Sequence, residues 1–351
     1  MQRGQSSRGR GTRANPPNRF AQLHYVREAD DPEAPAPVTQ FFRDTSRSII
    51  ARNDSPDVGF EVSVNPYRGC EHGCSYCYAR PTHEYLGFSA GLDFETKILV
   101  KTEAPALLAQ ALASPRWQPR PLALSGVTDP YQPVERRLQL TRRCLQVLVT
   151  FCQPVIIVTK NALVTRDLDL LQELARVQAA AVYLSITTLD EALCRVMEPR
   201  ASQPQRRLAA LAALAEAGIP AGVLVAPVIP GLTEHELPAI LAAAAEAGAR
   251  FAGYGVLRLP HTVAELFTQW LAQHAPTRKA KVLKRLRAMR GGQLNDARFS
   301  SRIHGEGIYA AQIAALFRLA CRKTGLSLHT PTLSAAAFRR PAAAQLSLFA
   351  S

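Results

Sequence analysis

The sequence predicts an α/β fold: an open, partial (β/α)6 barrel of parallel strands with helices outside, flanked by a disordered N-terminal arm and a disordered C-terminal tail. Three observations predict it. From about residue 60 to residue 290, short apolar runs alternate with longer amphipathic stretches. Several of the short runs are continuous, residues 154–159 (PVIIVT) most clearly, as strands buried on both faces are. Six such units are present, and right-handed crossovers gather them into one parallel sheet with too few units to close an eight-unit barrel.

Taken in order, residues 1–58 are rich in Arg, Gly, Pro, Asp and Ser and lack periodicity. They are expected to be a basic, largely disordered arm. Phe41-Phe42 and Ile49-Ile50 are apolar spots suited to docking on the body. The barrel and its C-terminal extension occupy residues 59–330, and residues 331–351 form an Ala-rich flexible tail. Strands are expected at 61–64, 121–127, 154–159, 181–186, 221–228 and 251–257. Helices are expected at 136–151, 166–177, 206–217 (closed by Gly218), 234–247 (closed by Gly248), 264–273 and 277–289. In such sheets functional groups collect at the carboxyl ends of the strands.

A chain of 351 residues that is 47% hydrophobic can bury a sizeable core. No run of about eighteen apolar residues is present, so no membrane span is expected. The N-terminus lacks an apolar signal block, and a cytoplasmic address is the expectation. The net charge of +14 favours polyanionic partners, nucleic acid among them. Seven cysteines are present, and three fall within eight residues. That crowding points to metal binding rather than disulfides.

The crowded segment reads Asn65-Pro66-Tyr67-Arg68-Gly69-Cys70-Glu71-His72-Gly73-Cys74-Ser75-Tyr76-Cys77-Tyr78. Thiolates from Cys70, Cys74 and Cys77 suit three irons of a cubic [4Fe–4S] cluster and leave the fourth iron open. Gly69 and Gly73 let the loop bend. Zinc is the alternative, with His72 or His83 as the fourth ligand. The spacing, with the aromatic Tyr76 just before the third cysteine, resembles the radical S-adenosylmethionine (SAM) superfamily. The resemblance covers roughly residues 60–330. It implies a [4Fe–4S] cluster, SAM bound at the open iron, and reductive cleavage of SAM to a 5′-deoxyadenosyl radical. It also implies a reductant such as flavodoxin or ferredoxin.

SAM requires polar partners from other strand ends. The second strand ends Ser125-Gly126-Val127-Thr128-Asp129. There Gly126 permits close backbone approach, and Thr128 or Asp129 would meet the ammonium group. The superfamily often has Gly-Gly-Glu at this place, from which the chain departs. Lys160, ending the third strand, is expected to pair with the SAM carboxylate. Ser185 and Thr187 share one side of the fourth strand, and Ser185 suits ribose or carboxylate. Glu198-Pro199-Arg200 supplies either a salt-bridge pair or, through Arg200, a second carboxylate anchor, while Arg206 and Arg207 read as surface. Pro227-Val228-Ile229-Pro230-Gly231 resembles the superfamily element that lies against adenine, making Ile229 and Gly231 candidates. Cys144, Cys152, Cys194 and Cys321 have no metal spacing and read as core.

Two segments, residues 127–135 (VTDPYQPVE) and Leu257-Arg258-Leu259-Pro260, carry a narrower resemblance to bacterial radical SAM proteins related to spore photoproduct lyase. Together with the basic charge they imply action on nucleic acid, of a DNA-repair kind. The pentapeptide Gln345-Leu346-Ser347-Leu348-Phe349 resembles the peptide by which bacterial repair proteins bind the sliding clamp. Two alternatives stand beside this: a radical SAM enzyme modifying a protein or small molecule, and a non-catalytic metal-binding regulator of nucleic acid.

Overall fold

Seven strands form the main sheet in the computed structural model, which describes residues 9–12, 14–20 and 38–341. The strands among the described residues are β1 (Gln40–Arg43), β2 (Ile50–Arg52), β3 (Val62–Val64), β4 (Tyr67–Arg68), β5 (Lys97–Val100), β6 (Leu122–Leu124), β7 (Val155–Thr159), β8 (Ala180–Ser185), β9 (Ala221–Val228) and β10 (Phe251–Val256). The main sheet runs β10-β9-β8-β7-β6-β3-β2. All its pairs are parallel except β2–β3. The six parallel strands are those expected from the sequence. The largest boundary change is in β6, which stops at Leu124 because Ser125 and Gly126 turn away at φ 138° and 120°.

The core lies between this sheet and the outer helices. Leu122, Val155, Ile157, Val182, Val223 and Val225 point into it from the strands. Leu145 and Leu148 of helix Leu140–Phe151, Leu171 and Leu174 of Leu168–Arg176, and Leu211 and Leu214 of Pro204–Glu216 meet them. Each pair of leucines is three residues apart, a spacing that puts one helical face inward. The expected helix at 136–151 is two helices, because Gln139 adopts φ 52° and breaks it. No helix among the described residues is long and apolar enough to cross a membrane.

The described parts of the arm dock on the body through its two apolar spots. Phe41-Phe42 lies in β1, which joins β5 and β4 in a second, three-stranded sheet. Ile50 begins β2 at the edge of the main sheet, and Ile49 is buried. Backbone pairing by these apolar spots outweighs the polar composition around them. The tail is docked as far as it is described: Ser334 N donates to Gln178 O at 2.9 Å and Arg339 N to Phe151 O at 3.0 Å. Residues 345–349 lie outside the described part. A helix that the sequence reading passed over, Gly307–Thr324, buries Ala310, Ile313, Phe317, Ala320 and Cys321.

Candidate active site

The three cysteines occupy the loop that follows β3 and β4, at the carboxyl edge of the sheet. Gly69 and Gly73 turn this loop at φ 79° and 65°. A Cβ on Gly73 would stand 2.5 Å from Glu95 Oε2, so that turn requires glycine. Gly73 N donates to Cys70 O and Cys77 N to Cys74 O, each at 3.3 Å, curling the segment. Cys70 and Cys74 are buried and Cys77 is half-buried. Fully buried Arg80 donates from Nε and Nη2 to the Cys74 carbonyl at 3.0 and 2.8 Å.

Burial raises the Cys74 thiol well above its ordinary range, and Glu198, Cys77 and Cys70 add to that rise while Lys160 opposes it. Burial also raises Cys77, with Arg80 opposing and Cys70 adding. Cys74 and Cys77, whose thiolates burial disfavours, share one loop with Cys70, and buried sulfurs of this kind are suited to a cation that neutralises them. The two histidines considered for zinc have other partners. His72 Nδ1 lies 3.3 Å from Asp129 and its Nε2 3.2 Å from Asn161 Nδ2. Burial opposes its protonation, but Asp129 and Cys70 hold its pKa up at about 10. His83 Nε2 pairs with Lys97 O at 2.9 Å, and burial lowers its pKa to about 4. Among the described residues no three His, Cys, Asp or Glu are gathered as a single-ion site requires.

Behind the loop lies a buried polar network centred on Glu198. Tyr76 and Arg207 both donate to its carboxylate, as does Thr187 Oγ1 at 2.8 Å. Lys160 Nζ approaches the same carboxylate at 3.2 Å, and also Ser185 Oγ at 2.7 Å, Thr187 Oγ1 at 3.2 Å and Ala226 O at 3.1 Å. The loop, β7, β8 and β9 thus converge on one group. Burial works against the Glu198 charge, yet Arg207 and Lys160 prevail and hold its pKa far below the ordinary carboxylate range.

The sequence-derived candidates divide accordingly. Tyr76, Lys160 and Ser185 come together. Lys160 is turned inward onto four oxygens, one more than an ammonium has protons, so a free partner for a SAM carboxylate is not what the structure presents. Gly126 stands at the mouth, where Tyr78 Oη donates to its carbonyl at 2.7 Å. Asp129 does not face an open site. It accepts from Thr159 Oγ1 at 2.7 Å, Tyr131 N at 2.9 Å and Lys160 N at 2.7 Å, besides its pairing with His72. Thr128 is buried and donates to Tyr67 O at 3.1 Å. Arg200 pairs with Glu71 at 3.2 Å and with Thr39, beside the arm. Ile229 is wholly buried, and Gly231 packs on helix Pro276–Ala288, where a Cβ would meet Lys281 and Val282 at 3.2–3.3 Å.

Arg207, read as surface, is buried, its Nη1 donating to Ser185 O at 2.7 Å. The signal for it was available: in helix Pro204–Glu216 it shares a face with Ala210, Leu211 and Leu214. Arg80 and Glu95, paired at 2.6 Å with both side chains sealed, were also missed, because nothing in their local sequence marks burial. Cys144, Cys194 and Cys321 are buried as expected, whereas Cys152 caps a helix half-exposed.

The mouth carries exposed aromatic rings faced by guanidinium groups. Arg258 lies over Tyr78 at 4.4 Å and Arg302 over Phe299 at 4.6 Å. Arg302 is fixed by Asp57 at 2.5 Å and acts electrostatically on both Tyr78 and Arg258.

Fold and site together define a partial parallel α/β barrel with a three-cysteine loop where the first barrel strand ends. Residues 64–244 match the family model described as the radical SAM superfamily, and the chain belongs to that superfamily. An uncharacterised protein of Mycobacterium tuberculosis is 41% identical over 219 residues, 62% of this chain and 64% of that one. An uncharacterised protein of Methanocaldococcus jannaschii is 29% identical over 178 residues, 51% of this chain and 64% of that one. The chain therefore spans less than two thirds of the length of these relatives. Spore photoproduct lyase with bound AdoMet and dinucleoside spore photoproduct has the same fold, with a TM-score of 0.54 at 16% identity over 82% of this chain and 80% of that chain. Membership implies SAM, an iron–sulfur cluster and a source of electrons, and it supports an enzyme.

Proposed function

We infer that this chain binds a [4Fe–4S] cluster through Cys70, Cys74 and Cys77 and cleaves SAM to act on a nucleic-acid substrate. The observation that carries the cluster assignment is the Cys70, Cys74 and Cys77 trio on a glycine-turned loop at the carboxyl edge of the sheet, inside the segment that matches the radical SAM family model. When bound, cluster and SAM supply reductive cleavage of the sulfonium to a carbon radical, chemistry that protein side chains lack. The chain's own part is to hold and to exclude. Arg80 and Tyr76 fix the loop from its two sides, through the Cys74 carbonyl and through Glu198. Lys160 holds its positive charge 5.6 Å from the centre of the Tyr76 ring, and Gly126 has no side chain to oppose a close backbone approach. Ala226 of β9 precedes the Ile229–Gly231 turn, whose backbone would be the part to meet adenine, since the Ile229 side chain is buried. Lys160 would meet the SAM carboxylate only by giving up one of its oxygen partners, Ser185, Thr187, Ala226 or Glu198.

The nucleic-acid reading is supported by the +14 charge and by the Tyr78–Arg258 and Phe299–Arg302 pairs at the mouth. Rings backed by guanidinium groups stack unpaired bases and neutralise phosphates. Spore photoproduct lyase, whose fold the chain shares, was solved with a dinucleoside photoproduct. A flavodoxin or ferredoxin would supply the electron, and a sliding clamp would be met through residues 345–349. The test is anaerobic reconstitution followed by SAM cleavage with damaged DNA, intact DNA and tRNA. Formation of 5′-deoxyadenosine stimulated by one nucleic acid supports the reading. Cleavage stimulated by none removes the substrate assignment, and a chain that takes up zinc alone removes the whole.

A further inference from the structure

The described part of the arm, residues 9–12 and 14–20, lies directly against the cysteine loop and the segment that holds it. Gly11 packs backbone on backbone against Gly73: a Cβ on Gly11 would fall 1.5 Å from the Gly73 carbonyl oxygen. Gly11 N donates to Glu95 Oε2 at 2.9 Å, and Thr12 Oγ1 donates to Glu95 Oε1 at 3.2 Å. Arg10 Nη1 donates to Glu95 O at 3.1 Å. Further along, Asn15 and Asp93 exchange two hydrogen bonds, at 2.9 and 2.8 Å. Asn18 Nδ2 donates to Glu84 O and Phe88 O, each at 2.9 Å, and Arg19 pairs with Glu84 at 2.8 Å.

Glu95 is the joint of this arrangement. Its Oε1 also accepts from Arg80 at 2.6 Å, and the same guanidinium grips the Cys74 carbonyl. Phe94, next to Glu95, accepts from Cys70 N at 2.9 Å. The path from arm to ligand is therefore Gly11 and Thr12 to Glu95, Glu95 to Arg80, Arg80 to Cys74. Arg80 and Glu95 are both fully buried. In such a place a lost hydrogen bond leaves an unsatisfied polar group and loosens what it orients.

We propose that this N-terminal strap is a working part of the cluster site: Gly11 and Thr12 act as positioning residues through Glu95 and Arg80, and the strap closes the outer side of the loop against solvent. The inference rests on the cysteine trio being the cluster site. It adds that the shell holding the cluster begins some sixty residues before the first cysteine (Cys70 against Gly11). Groups that orient metal ligands typically contribute about 10- to 100-fold to metal retention.

The test uses the full chain reconstituted anaerobically, with iron release to a chelator and loss of the cluster absorbance in air as readouts. Thr12→Val removes one hydrogen bond at constant shape, Gly11→Val forces a side chain into the Gly73 carbonyl, and a third variant lacks residues 1–19. Release about 10- to 100-fold faster in Gly11→Val and in the shortened chain, with a smaller gain in Thr12→Val, is expected. Wild-type release rates in variants that load iron would overturn the proposal. Hydrogen exchange of the unaltered chain needs no variant. Because linkage is reciprocal, loading the cluster slows exchange of the Gly11 amide, and identical exchange in loaded and unloaded protein would overturn the proposal too. A wild-type chain that never takes up iron and sulfide speaks against the cluster reading itself, an outcome distinct from both.

Discussion

The phenol of Tyr76 donates to the carboxylate of Glu198, 122 residues further along the chain, and ties the cysteine loop to the far half of the barrel. The other side of that carboxylate is held by Arg207, which is 1% exposed. Removing one partner of a buried ion pair strands the other and costs about 3–5 kcal/mol, whereas replacing both with apolar groups of similar volume is far milder. Glu198→Ala is therefore expected to lower the stability of the metal-free chain by about that much in urea titrations. Glu198→Met with Arg207→Met recovers part of the loss. A single variant within about 0.5 kcal/mol of wild type, the range of ordinary surface substitutions, would show that the network contributes little.

The same carboxylate makes the fold sensitive to acid. Burial acts to raise the Glu198 pKa, but Arg207, Lys160 and the Tyr76 hydrogen bond depress it well below the ordinary value. Asp129 is depressed as well, by His72 and by the hydrogen bonds of Lys160 and Thr159 against the effect of burial. A carboxylate that binds its proton less readily folded than unfolded stabilises the fold above its unfolded pKa, about 4.3 for glutamate. That contribution is withdrawn as the pH falls from about 5 toward the folded value. Urea midpoints of the metal-free chain should fall steeply below about pH 5, and Glu198→Gln should flatten that slope while lowering the plateau at neutral pH. Parallel profiles for the two proteins would contradict the assignment.

These two residues also mark where the sequence is informative. Several of the six parallel strands were legible because strands buried on both faces are continuous apolar runs, and the first from its alternation. The cysteine trio was legible because its spacing is local. Arg207 was not read as buried, because charge suggests exposure unless a partner is known, and Glu198 is brought to it only by the fold. Asp129 was read as facing SAM from its place at a strand end, but three of its four acceptor contacts are set by the end of β7 and His72, the fourth being the local Tyr131 N. The arm was read as loose from composition. What holds its described part is hydrogen bonding to Glu95, Asp93 and Glu84, and such long-range pairings leave no periodic trace.

Each of Cys70, Cys74 and Cys77 is expected to be required for iron, because three irons of the cluster have one thiolate apiece. Alanine at any one of them should reduce iron and sulfide after reconstitution to a small remainder. Cys144→Ala serves as the control. That thiol lies on helix Leu140–Phe151, wholly buried in the apolar core with Leu145 and Leu148, which suits a packing group. Iron content measured by colorimetry, together with cluster absorbance, decides it. Equal loss in the control would mean that the triplet variants fail through folding.

The mouth of the barrel offers a finer test of the substrate. Tyr78 follows the last cysteine directly, is 46% exposed, and has the Arg258 guanidinium 4.4 Å from its ring centre. If a base stacks on this ring, Tyr78→Ala should cost about 1–3 kcal/mol in single-stranded DNA binding. Arg258→Met separates two uses of the cation. A guanidinium that meets a phosphate releases a counterion, so its loss lowers the salt slope of binding by about one. A guanidinium that only orients the ring leaves the slope unchanged and weakens binding equally at every salt concentration. Fluorescence anisotropy with a labelled oligonucleotide across a salt series distinguishes the two. Cysteine-loop iron content should stay at the wild-type level in both variants, since neither side chain touches the Arg80 or Glu198 supports of the loop. Binding that neither substitution alters would place the substrate elsewhere on the molecule and leave these rings as plain packing for the loop that carries Phe299 and Arg302.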